Sequence, residues 1–378
     1  MPTHHDRPQT PSIEQILQSS PWRSLELHLN DLRERIDASV NRSNELRVRY
    51  RDELLTAQPG LRDQVSSPSQ NAMARAEGLL RSGVVAAADG TVSPVPLLGG
   101  SKIQIGVVIA FNSGEVVNLV TKVFEAELAP EASTATEFFS NLRASRSFSN
   151  LLSRAIMLFG ERRLLMQQHA DWRMLHGELF PHELRTGAGR PAQNLGPAFD
   201  VVNEYVDSEK FMAVTEGSDD IDILNAAVLL EPGEYIVIRS MQDSLTTFLN
   251  GDQTTGQARA NFTHADQTRF EPFVQNTGPK VSVVLVKAAN KPFLIECHRD
   301  RVEETVALFL TDSLWTRGLP LDGSALAVRG FPFHIDLADQ VARTLFKGSD
   351  FRAFVESRLY DLGIESGVFD IDPRRTRE

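Results

Sequence analysis

The chain has 378 residues, 41% of them hydrophobic, enough to bury one large core or two modest ones. Its formal charge of −11 excludes a surface that is basic throughout, so contact with a polyanion must come from a local basic stripe. The single cysteine, Cys297, excludes an intrachain disulfide, no apolar run approaches the ~18 residues of a membrane span, and the polar start has no hydrophobic signal core, so the expectation is a soluble, cytoplasmic protein with no membrane contact.

Residues 1–11, polar and Pro-containing, are expected to form a disordered tail. Ser12-Ile13-Glu14-Gln15 reads as a capping box, in which the Ser12 hydroxyl accepts from a backbone N–H three residues on while Gln15 reaches back. It opens an N-terminal helical segment, residues 12–57. Leu25, Leu29, Leu32, Ile36 and Val40 place one apolar stripe on it, and its arginines are interspersed with acids, as on a solvated helix. Residues 58–75, with Pro, Gly and Ser, read as a linker, and residues 76–378 as one α/β domain.

Within that domain Val84 to Ala88 is a short buried-strand pattern. Ile103, Ile105, Val107, Ile109 and Phe111 alternate strictly, Asn112-Ser113-Gly114 is a turn, and Glu115 to Phe124 returns as a strand. A helical span from Thr134 to Ala170 and a strand at Trp172 to Leu175 complete β-β-β-α-β, the beginning of a ribonuclease-H-like mixed sheet with flanking helices. Phe211 to Thr215 is a further strand, and Asp219 to Leu230 a helix. Val281 to Val286 with Phe293 to Cys297 form a hairpin, and Asp336 to Phe346 and Asp350 to Leu362 are closing helices.

Four chemistry-bearing positions follow that frame. Asp89 ends the first apolar run and precedes Gly90, Glu161 lies in the long helix, His176 closes a strand, and Asp339 lies in a late amphipathic helix. Each alone has an ordinary reading: a turn aspartate, a surface glutamate, a structural histidine. Their order is that in which ribonuclease-H-like nucleases gather metal ligands. Phosphodiester hydrolysis by a divalent ion needs hard oxygen donors converging on one point, to hold the phosphate and lower the pKa of the attacking water. Glu178, two residues beyond His176, points to the same side if the strand continues, and Asp336 shares a helix face with Asp339, so both are spare donors. Arg143, Arg146, Arg154, Arg162 and Arg163, on or near the helix of Glu161, could grip DNA phosphates or serve as ordinary surface ion pairs. Gly99-Gly100-Ser101-Lys102 and Gly187-Ala188-Gly189 are too short for a phosphate loop or dinucleotide fingerprint, so no ATP or NAD site is expected.

Ala88-Asp89-Gly90-Thr91, the segment around Glu161, and Met174-Leu175-His176-Gly177-Glu178-Leu179 resemble successive motifs of the NurA nuclease family. Gly330-Phe331-Pro332-Phe333-His334-Ile335-Asp336-Leu337-Ala338-Asp339 resembles that family's Tyr-Pro … Ala-His segment. The resemblance spans roughly residues 80 to 350. It implies a DNA nuclease using Mn2+ or Mg2+, with Asp89, Glu161, His176 and Asp339 as catalytic metal ligands. It further implies a homodimer working with a HerA-type hexameric ATPase in DNA end processing or antiviral defence. Three departures stand out: His176 replaces an aspartate, Asp339 a histidine and Phe331 a tyrosine. The first two exchange one carboxylate and one imidazole, which preserves ligand count and charge. The alternative is a catalytically weakened DNA clamp or adaptor for the same ATPase.

Overall fold

The computed structural model describes residues 12–19, 25–97, 100–125, 133–187, 191–217, 220–250, 264–289, 291–315, 330–346 and 349–363. The chain divides into two compact units, Met1–Pro59 and Gly60–Glu378. The first holds helices α1 (Ile13–Ser19) and α2 (Leu25–Ala57). Its capping box forms as expected: Gln15 N donates to Ser12 Oγ at 3.2 Å, and Ser12 N to Gln15 Oε1 at 2.8 Å. The tail expected at residues 1–11 lies outside the described residues.

The second unit is built on one sheet. Its described strands are β1 (Val65–Ser66), β2 (Val85–Leu97), β3 (Gly100–Phe111), β4 (Val116–Glu125), β5 (Trp172–His176), β6 (Phe211–Thr215), β7 (Tyr235–Ser240), β8 (Val281–Lys287) and β9 (Pro292–His298). They lie in the order β1-β7-β8-β9-β6-β5-β2-β3-β4. β2, β3 and β4 pair antiparallel, whereas β2–β5 and β5–β6 are parallel. This is the ribonuclease-H-like core, extended past β6 by an antiparallel group.

Alternation along the central strands sends side chains into two apolar layers. Val85, Ala87, Trp172, Met174, Met212 and Val214 join one layer. Ala86, Ala88, Leu175, Phe211 and Ala213 join the other. The first layer is covered by α3 (Gln70–Arg81), α10 (Val302–Trp315) and α11 (Phe333–Phe346). The second is covered by α4 (Ala135–Met166), α5 (His182–Arg185), α6 (Pro191–Ser208), α8 (Met241–Asn250) and α9 (His264–Asn276). α7 (Ile221–Leu229) covers β7 and β8, and α12 (Ser349–Asp361) follows α11.

Two expectations are corrected here. The linker expected at 58–75 is largely structured: Pro59–Gln64 is a 3-10 helix, Val65 and Ser66 pair with β7, and α3 starts at Gln70. Ala72, Ala76 and Leu80 bury one face of α3, and Ser69 caps its start by accepting from Ala72 N, a contribution of about 1 kcal/mol. Asp89 does not end its strand either. β2 runs on to Leu97 because β3 pairs with it throughout, so Asp89-Gly90 is extended strand and no turn. Only the parallel pairing with β5 stops beside it, at Ala88–Leu175.

Candidate active site

Asp89, His176 and Glu216 lie on or directly after three neighbouring strands, where the parallel pairing of β2, β5 and β6 ends. Each continues the alternation of its strand (Val85-Ala87-Asp89, Trp172-Met174-His176, Met212-Val214-Glu216), so all three face the layer that contains α11. Side chains gathered beyond the carboxyl ends of parallel strands form the usual functional crevice of α/β sheets. Asp89 is 5% exposed, and its Oδ2 lies 3.1 Å from His176 Nδ1. The other imidazole nitrogen, Nε2, lies 3.5 Å from Glu216 Oε1. Burial alone would lower the His176 pKa, but hydrogen bonds to Asp89 and Glu216 and the charges of Asp89 and Glu161 outweigh it and raise it to about 10.

Glu161 arrives from the opposite side of the sheet. Gly90 has the alternate parity to Asp89 and faces α4, and a Cβ there would lie 2.7 Å from Glu161 Oε1 and 2.6 Å from Met157. The carboxylate thus occupies space that only glycine leaves open. Glu161 is 1% exposed, and its Oε1 is buried with no hydrogen-bond partner. Burial first, then the charge of Asp89, pushes its pKa up to about 8, against Arg162 and His176.

α11 supplies the fourth side. It packs on β2 and β3 through Ala338, Ala342 and Phe346 against Val108 and Ala110, and Gly106 receives the Phe346 ring. This docking brings Asp339 beside Asp89, and burial followed by the Asp89 charge raises the Asp339 pKa. Asp339 also accepts from Arg343 Nε at 2.6 Å. Asp336 is buried one turn earlier, with Oδ2 accepting from Gln340 and Oδ1 unpartnered. Burial and then the charge of Asp339 push its pKa up to about 6, Glu216 adding to the rise and Gln340 and Arg343 opposing it. Phe331 is buried edge-on to His176, ring centroids 5.5 Å apart, and also packs on Phe293.

Asp89, Glu161, His176 and Asp339 are therefore brought together, with Asp336 beside them. Glu178 is turned away: the strand ends at His176, Gly177 takes a φ of 82°, and Glu178 forms an ion pair with Arg185. Glu216 had no motif to mark it, and the available signal was its place directly after a parallel strand. Arg162, expected at a DNA surface, is 0% exposed. It donates to the carbonyls of Leu179 and Leu158 at 2.8 Å each and to that of Glu178, and lies 3.3 Å from Glu161 Oε2. It is a strut between α4 and the loop after β5, and cannot reach a phosphate. Arg154 and Arg163 are accessible and pair with Glu183 and Glu204. The side chains of Arg143 and Arg146 lie outside the described residues.

Among the described residues, no three His, Cys, Asp or Glu side chains are spaced as a ready-made ligand set. The donor chemistry nevertheless suits a hard divalent ion, since Asp89, Glu161 and Asp339 offer carboxylate oxygens and the buried Glu161 Oε1 has no other partner.

No family model matches the chain, and no curated protein matches it. Solved structures do. The chain is similar to the NurA nuclease from Sulfolobus solfataricus at 12% identity and a TM-score of 0.47, covering 90% of this chain and 99% of that one. It is also similar to a structure of NurA bound to dAMP and manganese, at 8% identity and a TM-score of 0.43, covering 85% and 95%. A third similar structure is an endonuclease V from Bacillus subtilis, at 12% identity and a TM-score of 0.31, covering 81% and 94%.

Proposed function

We propose that this chain is a divalent-metal-dependent deoxyribonuclease. The observation that carries the reading is the convergence of Asp89, Glu161, His176 and Asp339 from β2, α4, β5 and α11 where the parallel pairing at the centre of a ribonuclease-H-like sheet ends. Asp89, Glu161 and Asp339 would hold the ion, Mn2+ or Mg2+, with His176 as the fourth donor. Once bound, such an ion polarises the phosphodiester and supplies a water acidic enough to attack it near neutral pH. Gly90 keeps room for the Glu161 carboxylate, Arg162 ties the Glu161 helix to the loop after β5, and Phe331 packs edge-on against the His176 ring. Arg154 and Arg163 remain accessible on α4 for contacts with DNA phosphate.

The motif resemblance supports the wider setting: a homodimer acting with a HerA-type hexameric ATPase in DNA end processing or antiviral defence. A second reading, a weakened DNA clamp for that ATPase, is favoured by one observation, the engagement of both His176 nitrogens by carboxylates. Incubating purified protein with linear duplex and single-stranded DNA, with Mn2+, Mg2+ or chelator, separates the two. The nuclease degrades DNA only when metal is supplied. Binding without cleavage under every metal would leave the clamp.

A further inference from the structure

Six side chains are linked by contacts into one row through the site. Lys291 Nζ lies 3.7 Å from Glu216 Oε2, Glu216 Oε1 lies 3.5 Å from His176 Nε2, and His176 Nδ1 lies 3.1 Å from Asp89. Asp89 meets Asp339, and Asp339 accepts from Arg343 at 2.6 Å. The acids sit in the middle, and each end of the row is a cation that keeps much of its surface in solvent, Lys291 at 41% and Arg343 at 59% exposed. Lys291 stands in the β8–β9 turn with its ammonium 5.3 Å from the centre of the Phe293 ring. Arg343 stands in the last turn of α11.

A polyanion approaching this centre meets three carboxylates and the His176 imidazole along the middle of the row, and solvent-accessible cations at both ends. An exposed ion pair holds its partners by about 1 kcal/mol or less, so either cation can turn from its carboxylate to a phosphate at little cost. Phosphate contacts of this kind set register and orientation on a nucleic acid strand without reading sequence. We infer that Lys291 and Arg343 are the two ends of a phosphate clamp that lays a DNA strand along the row, flanking the phosphate to be cleaved. The inference rests on the nuclease reading of the same site.

The test is the salt dependence of binding. A fluorescein-labelled oligodeoxynucleotide is titrated with protein in Ca2+ across a salt series, for the wild type, Lys291→Ala, Arg343→Ala and Arg81→Ala. Arg81 is an exposed, paired cation on α3 outside the row. For a single strand, the slope of log K against log salt should fall by about 0.7 for each clamp cation removed and stay at the wild-type value in Arg81→Ala. Lys291→Arg should restore it. In Mn2+-dependent cleavage, KM should rise more than kcat falls. Wild-type slopes in both clamp variants, with cleavage intact in the wild type, would overturn the clamp and leave the nuclease reading standing. No DNA binding or cleavage by the wild type under any metal would overturn both.

Discussion

Glu161 has an ordinary pKa of 4.5 and is held at about 8, chiefly by burial and then by Asp89. A carboxyl whose native pKa exceeds its unfolded value binds its proton more tightly when folded. Its stabilising contribution is therefore full below about 4.5 and is lost as the pH rises through about 8. His176, raised from 6.5 to about 10, has the same sign in a higher window. In metal-free buffer the wild type should lose stability relative to Glu161→Gln as the pH rises from 5 to 8, measured by thermal unfolding of both proteins. Parallel curves would mean that Glu161 is not buried as a protonated acid. The His176 and Asp339 exchange is tested by a double-mutant cycle on Mn2+-dependent cleavage at fixed pH. His176→Asp adds a negative charge and Asp339→His removes one, so the double variant should retain more activity than either single change predicts. Additive losses would show that the two residues do not act on one centre.

At the scale of elements, α11 is set by a close approach. A Cβ on Gly106 would lie 2.0 Å from the Phe346 ring, which must then swing out and carry α11 with it. Gly106→Ala is expected to cost ~1–3 kcal/mol of stability, as overpacking does, and to lower cleavage further by displacing Asp339. Unchanged unfolding in denaturant would contradict that packing. Arg162→Met should cost ~3–5 kcal/mol, the scale of breaking a buried charged network, and leave the salt slope of DNA binding unchanged. A lowered slope would return Arg162 to the DNA surface.

How much of these elements was legible in the sequence follows from how local their causes are. The β3 alternation, the β8–β9 hairpin and the capping box each depend on nearest neighbours, and they formed within three residues of expectation. The length of β2 was not legible, because Asp89-Gly90 reads as a turn unless the long partner β3 is known to run beside it. Arg162 and Arg163 are adjacent in sequence, and only the packing of α4 decides that the first is interior and the second exposed. The site was half legible. Asp89, Glu161, His176 and Asp339 came from motif order, whereas Glu216 comes from the pairing of β6 with β5, which no local pattern encodes. Glu178 failed because Gly177 breaks the strand before it.

For the whole molecule, the division at Pro59 makes a clear expectation. Removing residues 1–59 should leave the thermal transition of the Gly60–Glu378 unit in place, as measured by calorimetry. On the functional proposal it should weaken capture of the HerA-type ATPase, because Ile36, Val40 and Tyr50 leave exposed apolar surface on α2. Full capture by the truncated chain would move that contact elsewhere. On the functional proposal, the acidic balance of −11 leaves the positive charge toward DNA local, and Asp89 is the residue on which the centre depends. The most direct measurement follows Mn2+ binding and DNA cleavage on the same samples of wild type and Asp89→Asn, with circular dichroism on both. Cleavage is expected to fall at least ~100-fold, the upper end for loss of a mere outer-shell partner, with Mn2+ affinity reduced and the fold unchanged. Full Mn2+-dependent cleavage by a correctly folded Asp89→Asn protein would contradict the assigned centre.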